Sequence, residues 1–140
     1  MKNVRVFLLI TFLTCALATV ATASEDYNYI AAKAVKDRLD AGSPMIIIDI
    51  CPAQQFADGH LAGSIETNAY PVKTDGEKDR LAQLLPKLQA SADDIVVVCP
   101  GGAGGAKRTV DFYKTRGVDE KRLLILEQGM NQWPYETEKN

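Results

Sequence analysis

Histidine, tryptophan and cysteine are scarce in this chain, with one, one and three residues of each among 140. A lone histidine, His60, and cysteines far apart in sequence provide no cluster with metal-ligand spacing, so no metal site is expected. No charge of one sign dominates either, since 16 basic residues stand against 18 acidic ones. No basic tract is dense enough to neutralise successive phosphates, which excludes nucleic acid as a partner. Internal repeats, low-complexity segments and linkers are missing. With 46% hydrophobic residues, the chain has enough apolar material for one globular core.

The long apolar run lies at the N-terminus. Residues 1–23 carry Lys2 and Arg5, an apolar stretch from Val6 to Val20, and the small-residue site Ala21-Thr22-Ala23. This is the pattern of a secretory signal peptide, cleaved after Ala23 and leaving a single domain over 24–140. A retained anchor is the weaker reading, because the run is near the lower limit for spanning and no stop-transfer pattern follows. Lipidation at Cys15 is weaker still, with Thr14 a poor residue before it. The expectation is therefore a periplasmic or secreted protein without stable membrane insertion. Cleavage removes two basic residues and no acid, taking the formal net charge from −2 to −4. It also leaves two cysteines, Cys51 and Cys99, which form one bridge or are free thiols kept for reactivity.

What is present is organised around Ile95 to Arg116. Ile95, Val96, Val97 and Val98 form a continuous β-branched run, as in a strand buried on both faces of a parallel sheet. Cys99 follows at its carboxyl end, where open α/β sheets place their ligands. In Pro100, Gly101, Gly102, Ala103, Gly104 and Gly105, the glycines let successive amides converge on one point, which makes the loop an anion cradle and Cys99 a candidate nucleophile. A helix is expected from about Ala106 to Arg116, with its N-terminus toward the loop. The loop misses both nucleotide-binding patterns: Ala106 precedes Lys107 and Arg108 follows it, against the phosphate loop, and Lys107 stands in the place of the last dinucleotide glycine. Lys107 and Arg108 are either solvated charges, or cations that lower the thiol pKa or attract an anionic donor.

The rest of the chain alternates helices and strands. The spacing of Ala31, Val35 and Leu39 predicts a helix over 30–41 after an irregular lead-in, 24–29. Met45 to Ile48 reads as a strand ending at Asp49, Pro52 to Phe56 as a short helix, and Ser64 to Glu66 as a short strand. Leu81, Leu84, Leu85 and Leu88 mark a helix that Pro86 kinks or splits. Leu123 to Leu126 is a last strand, and Gly129 to Trp133 a closing turn. This order predicts the α/β class, a parallel sheet with helices on both faces.

Three stretches together resemble the rhodanese-like domain. In the first, Asp49, Phe56, Gly59, His60 and Gly63 hold the family's strand-end aspartate, aromatic, Gly-His and second glycine. The second is the strand, Cys99, loop and helix; the third, LEQGMNQW over 126–133, matches the closing motif. The resemblance implies about five parallel strands and a sulfurtransferase without a cofactor, in which Cys99 takes sulfane sulfur as a persulfide. Its partners would be a small donor such as polysulfide or thiosulfate, and a thiol, cyanide or protein acceptor. Alternatives are a non-catalytic sulfur carrier and a thiol redox protein using both cysteines.

Two departures from the family pattern stand out. The usual loop arginine is missing, with Gly104 five residues and Gly105 six residues beyond Cys99, and Gly117 arrives one residue late. The rhodanese-fold phosphatases have a loop of this length but need an arginine at the position of Gly105, so phosphatase chemistry is disfavoured and an open loop for polysulfide is preferred. Cys51 replaces an arginine two residues after the aspartate, and is either a small buried thiol or one that resolves a modified Cys99. His60 is read as part of a structural turn ahead of a Cys/His pair.

Overall fold

The computed structural model describes residues 26–140, so the signal-peptide expectation over 1–23 and Cys15 lie outside the described residues. Five parallel strands form one sheet in the order β1-β5-β4-β2-β3: β1 Asn28–Ile30, β2 Met45–Asp49, β3 Ile65–Glu66, β4 Asp94–Val98 and β5 Leu123–Leu126. The helices are α1 Ala32–Asp40, α2 Ala53–Asp58, α3 Asp75–Ala82, α4 Leu85–Gln89 and α5 Gly104–Lys114. No described helix is long and apolar enough to cross a membrane.

Strand periodicity divides the core into two. Ile46 and Ile48 of β2, Ile95 and Val97 of β4, and Leu123 and Ile125 of β5 face Leu81, Leu88, Val110, Phe112 and Tyr113 from α3, α4 and α5. Ile47, Val96, Val98 and Leu126 point to the other face, where Val35 of α1 and Leu61 pack, with Trp133 at the margin. Burying each such side chain stabilises the fold by about 1.5–3 kcal/mol, which is why continuous apolar runs settle in the centre of a two-sided sheet.

Two sequence expectations change. Residues 28–30 are a strand and not part of an irregular lead-in, held by pairing Asn28 with Leu124 and Ile30 with Leu126; α1 starts at Ala32, two residues later than its periodicity suggests. The segment containing Pro86 is two helices, because the proline lacks an N–H and sits in the first turn of α4, where none is needed. A capping box from Thr74 and Glu77 opens α3.

The central pair sets the site. β2 and β4 run in register from Met45 opposite Asp94 to Asp49 opposite Val98, and Ile50 N–H continues the ladder to the Val98 carbonyl at 2.9 Å. Both cysteines thus lie at neighbouring strand tips.

Candidate active site

Cys99 follows the last residue of β4, and its side chain continues the alternation of Ile95 and Val97 toward the α5 face. It is 1% exposed. Four residues, Pro100 to Ala103, carry the chain from it into α5, which starts at Gly104 and not near Ala106. Gly104 and Gly105 therefore belong to the first helical turn, and Gly101 and Gly102 are the glycines of the loop proper. Gly102, at φ +65°, turns its amide back to donate to Cys99 Sγ at 3.1 Å. An N–H aimed at sulfur in this way stabilises negative charge on it.

The turn after β5 fixes the loop from behind. Met130 N–H donates to the Cys99 carbonyl at 2.8 Å and Asn131 N–H to the Pro100 carbonyl at 2.9 Å. With these carbonyls held by the closing turn, the loop is fixed with the Gly102 amide toward sulfur. The two backbones come so close that a Cβ on Gly102 would press on the amides of Gln128 and Gly129, and one on Gly129, at φ +62°, would fall on the Cys99 carbonyl. This packing is the reason for the glycine in the closing motif.

The segment after β3 covers the other side. Thr67 N–H and hydroxyl both donate to the Asp49 carbonyl, at 3.0 and 2.9 Å, and Tyr70 N–H donates to the Ile50 carbonyl at 2.8 Å. These bonds hold the Tyr70 ring against Gly105, where a Cβ would approach ring carbons to 2.9 Å. Gly105 thus makes room for an aromatic neighbour. Arg108 donates from Nε to the Pro71 carbonyl at 2.9 Å, and its guanidinium lies 3.0 Å from the position a Cβ on Gly104 would take. A cation thus stands beside the first turn, supplied from one turn further along α5. Lys107 instead reaches over the Tyr27 ring at 5.1 Å.

Cys51 follows the opposite alternation and joins the cluster on the α1 face. Both thiols are free. Burial pushes the Cys51 thiol far up, and the adjacent Asp49 carboxylate and the charge of Cys99 push it further. Asp49 accepts from the Cys51 N–H at 2.8 Å through Oδ1, while its buried Oδ2 has no hydrogen-bond partner. Burial raises its pKa also, against the lowering effect of its contacts with Cys51. His60 is held in its turn, with Nδ1 2.8 Å from the Phe56 carbonyl, its ring stacked on Phe56 at 3.9 Å, and its backbone paired with Glu138.

The structure therefore gathers Cys99, Pro100, Gly101, Gly102, Ala103, Gly104 and Gly105 at one strand tip, with Cys51 at the next. Sequence reasoning missed Tyr70, Pro71 and the backing role of Met130 and Asn131. Arg108 was visible as a charge, but its position over Gly104 depends on a contact 37 residues away in sequence.

A comparison with curated proteins finds no match. Among solved structures, a rhodanese-like domain protein from Staphylococcus aureus is similar at 20% identity and TM-score 0.56, over 81% of this chain and 98% of that one. An As-Sb reductase from Leishmania major is similar at 18% identity and TM-score 0.60, over 77% of each chain. A yeast protein tyrosine phosphatase of the Rhodanese family is similar at 16% identity and TM-score 0.56, over 76% and 83%. At these identities the likeness concerns the fold. A model of a protein of unknown function, DUF4017, matches residues 1–52. The model of the Rhodanese-like domain matches residues 31–136, which span α1, the Asp49 to Gly63 stretch, Cys99 with its loop and the closing turn, and the chain belongs to that family.

Proposed function

We propose that the protein is a sulfurtransferase in which Cys99 carries sulfane sulfur as a persulfide. The observation that supports this reading is the glycine loop's amide directed at Cys99 Sγ, in a loop whose carbonyls are held elsewhere. The Cys99 thiolate attacks a terminal sulfur of the donor, forming an S–S bond as the donor's own S–S bond breaks. Polysulfide leaves one sulfur shorter, and thiosulfate leaves as sulfite. An acceptor thiolate or cyanide then attacks the outer sulfur, and the electron pair of the broken bond returns to Cys99. N–H donors and nearby positive charge stabilise the persulfide's terminal anion; the Gly102 amide is a donor already at the sulfur, and Arg108 brings positive charge to the first turn of α5 beside Gly104.

Phosphoryl transfer is less well supported, because Gly105 and the Tyr70 ring occupy the place of the arginine that would grip a phosphate in two places. A Cys51/Cys99 redox couple is also less well supported, because Cys51 packs on the other face beside a carboxylate that disfavours its thiolate. A carrier without turnover shares the chemistry of the first step and differs in the second.

The test is the intact mass of the protein after exposure to polysulfide or thiosulfate, then to cyanide. The expected result is a gain of one sulfur atom that needs Cys99 and is removed by cyanide as thiocyanate over repeated cycles. Loading with a single discharge would leave the carrier reading. A loss of two hydrogens on mild oxidation, without sulfur gain, would replace sulfur transfer with redox chemistry at the two cysteines.

A further inference from the structure

An open groove of about 500 Å³ runs along α5, and neither cysteine lines it. Lys73 and Lys78 reach it from the segment that opens α3, Arg108 and Arg116 from the α5 side, with Phe112 between them and Asp111 as its one acid. The Asp111 carboxylate already receives the Tyr27 hydroxyl at 3.0 and 3.2 Å. Glu77, beside Lys78 in sequence, turns its carboxylate back to the Lys73 and Thr74 amides at 2.6 and 3.0 Å. None of the four cations forms an ion pair among the described residues. Both arginines are held by uncharged partners instead: Arg108 donates to the Pro71 carbonyl, and Arg116 lies 3.6 Å over the Phe112 ring and donates to the Phe112 carbonyl. In a chain of net charge −2 this is a local excess of positive charge, fixed in place and not balanced from within. Its mutual repulsion is relieved by an anionic occupant.

Size and exposure restrict that occupant. Lys73 and Arg116 are exposed, and Lys78 and Arg108 are half-buried. An exposed ion pair contributes little by itself, so a small monoanion would be held weakly, and occupancy needs several anionic groups on one molecule. The backbone from Arg108 to Arg116 advances about 12 Å at the helical rise, the length of about four residues of extended chain. Side chains of an extended segment alternate in direction, so one short acidic stretch presents carboxylates to the lysines and to the arginines together.

We propose that this groove is a docking surface for an acidic, extended segment of a partner protein. Carboxylates of the segment pair with Lys73 and Lys78 on one side and with Arg108 and Arg116 on the other. The groove takes no part in the chemistry at Cys99, and it would hold its partner whether or not sulfur is transferred there.

The test is a calorimetric titration of the full chain with a capped peptide of about eight residues alternating Glu and Ser, long enough to overrun the groove. Saturable binding is expected, weakened at least about tenfold by high salt and by Lys73→Glu/Lys78→Glu, whose fold is checked by its melting curve. The same peptide with Gln for Glu should bind at least about tenfold more weakly. Lys121→Glu/Lys139→Glu makes the same change in net charge outside the groove and should bind the Glu peptide within about twofold of wild type. Absence of saturable binding would overturn the proposal, as would equal binding of the Gln peptide or equal weakening by the two charge-reversed variants. Tighter binding of inorganic triphosphate, or of vesicles containing phosphatidylglycerol, would also overturn it, by assigning the groove to a phosphate ligand or to a membrane surface. Should Lys73→Glu/Lys78→Glu unfold, Lys73→Gln and Lys78→Gln singly carry the same comparison.

Discussion

Two cysteines stand at the tips of adjacent parallel strands, one residue apart in register, and their surroundings are opposite. Cys99 turns to the α5 face and receives an amide N–H from Gly102. Cys51 turns to the α1 face, beside the buried carboxyl of Asp49. A donor favours negative sulfur and a carboxylate disfavours it. Position at a strand tip is therefore not what makes a nucleophile; the group placed next to the sulfur decides it.

The cysteines themselves give the largest expected difference. Cys99→Ser should abolish sulfur loading by polysulfide to below detection, whereas Cys51→Ser should retain it within about threefold, as a change of one buried atom that costs roughly 1–2 kcal/mol of stability. Intact mass and melting curves check both. Equal loss in the two variants would break the comparison and make the cysteines a functional pair.

Next comes the backing of the loop. Gly129→Ala places a Cβ on the Cys99 carbonyl at a left-handed residue, so a loss of about 3 kcal/mol or more is expected in denaturant unfolding. In any protein that still folds, loading should slow with it. A corresponding change at Gly42, which also has positive φ but nothing within 4 Å, should cost less and leave loading unchanged.

The smallest effect concerns Asp49. Its folded-state pKa is raised by burial, so at pH values between the unfolded and folded pKa the native state holds a proton that the unfolded chain gives up. Stability from this group is fully present below the unfolded carboxylate pKa and is lost as pH rises through the folded value. Asp49→Asn keeps an oxygen for the Cys51 N–H and removes the titration. Its melting temperature relative to wild type should therefore be more favourable at pH 7 than at pH 4, with Cys51 remaining slow to alkylate because burial persists. An unchanged difference between the two pH values would show that the carboxyl is not strained by its surroundings.

Much of the sheet is legible in sequence because β2, β4 and β5 are buried on both faces and carry nearly uninterrupted apolar runs. β1 is not, since of Asn28, Tyr29 and Ile30 only Ile30 is buried and the strand exists through its pairing with β5. A similar limit applies to the site. Cys99 and the turning role of Gly102 follow from a cysteine and glycines after a strand. Gly104 and Gly105 look like further loop freedom, yet they lie in a helix, Gly104 beside the Arg108 guanidinium and Gly105 small because the Tyr70 ring packs on it. Nothing local distinguishes a glycine needed for its φ from one needed for its missing Cβ.

The bonds from Met130 and Asn131 to the Cys99 and Pro100 carbonyls have a temporal consequence. The site around Cys99 is assembled from segments about thirty residues apart, and the later one follows the last strand of the sheet. A nascent or truncated chain ending at Leu126 contains Cys99 and its glycines but lacks the turn that holds the Cys99 and Pro100 carbonyls. If Cys99 carries sulfur as proposed, that reactivity would begin only when the domain is complete, and a half-made copy would be chemically quiet.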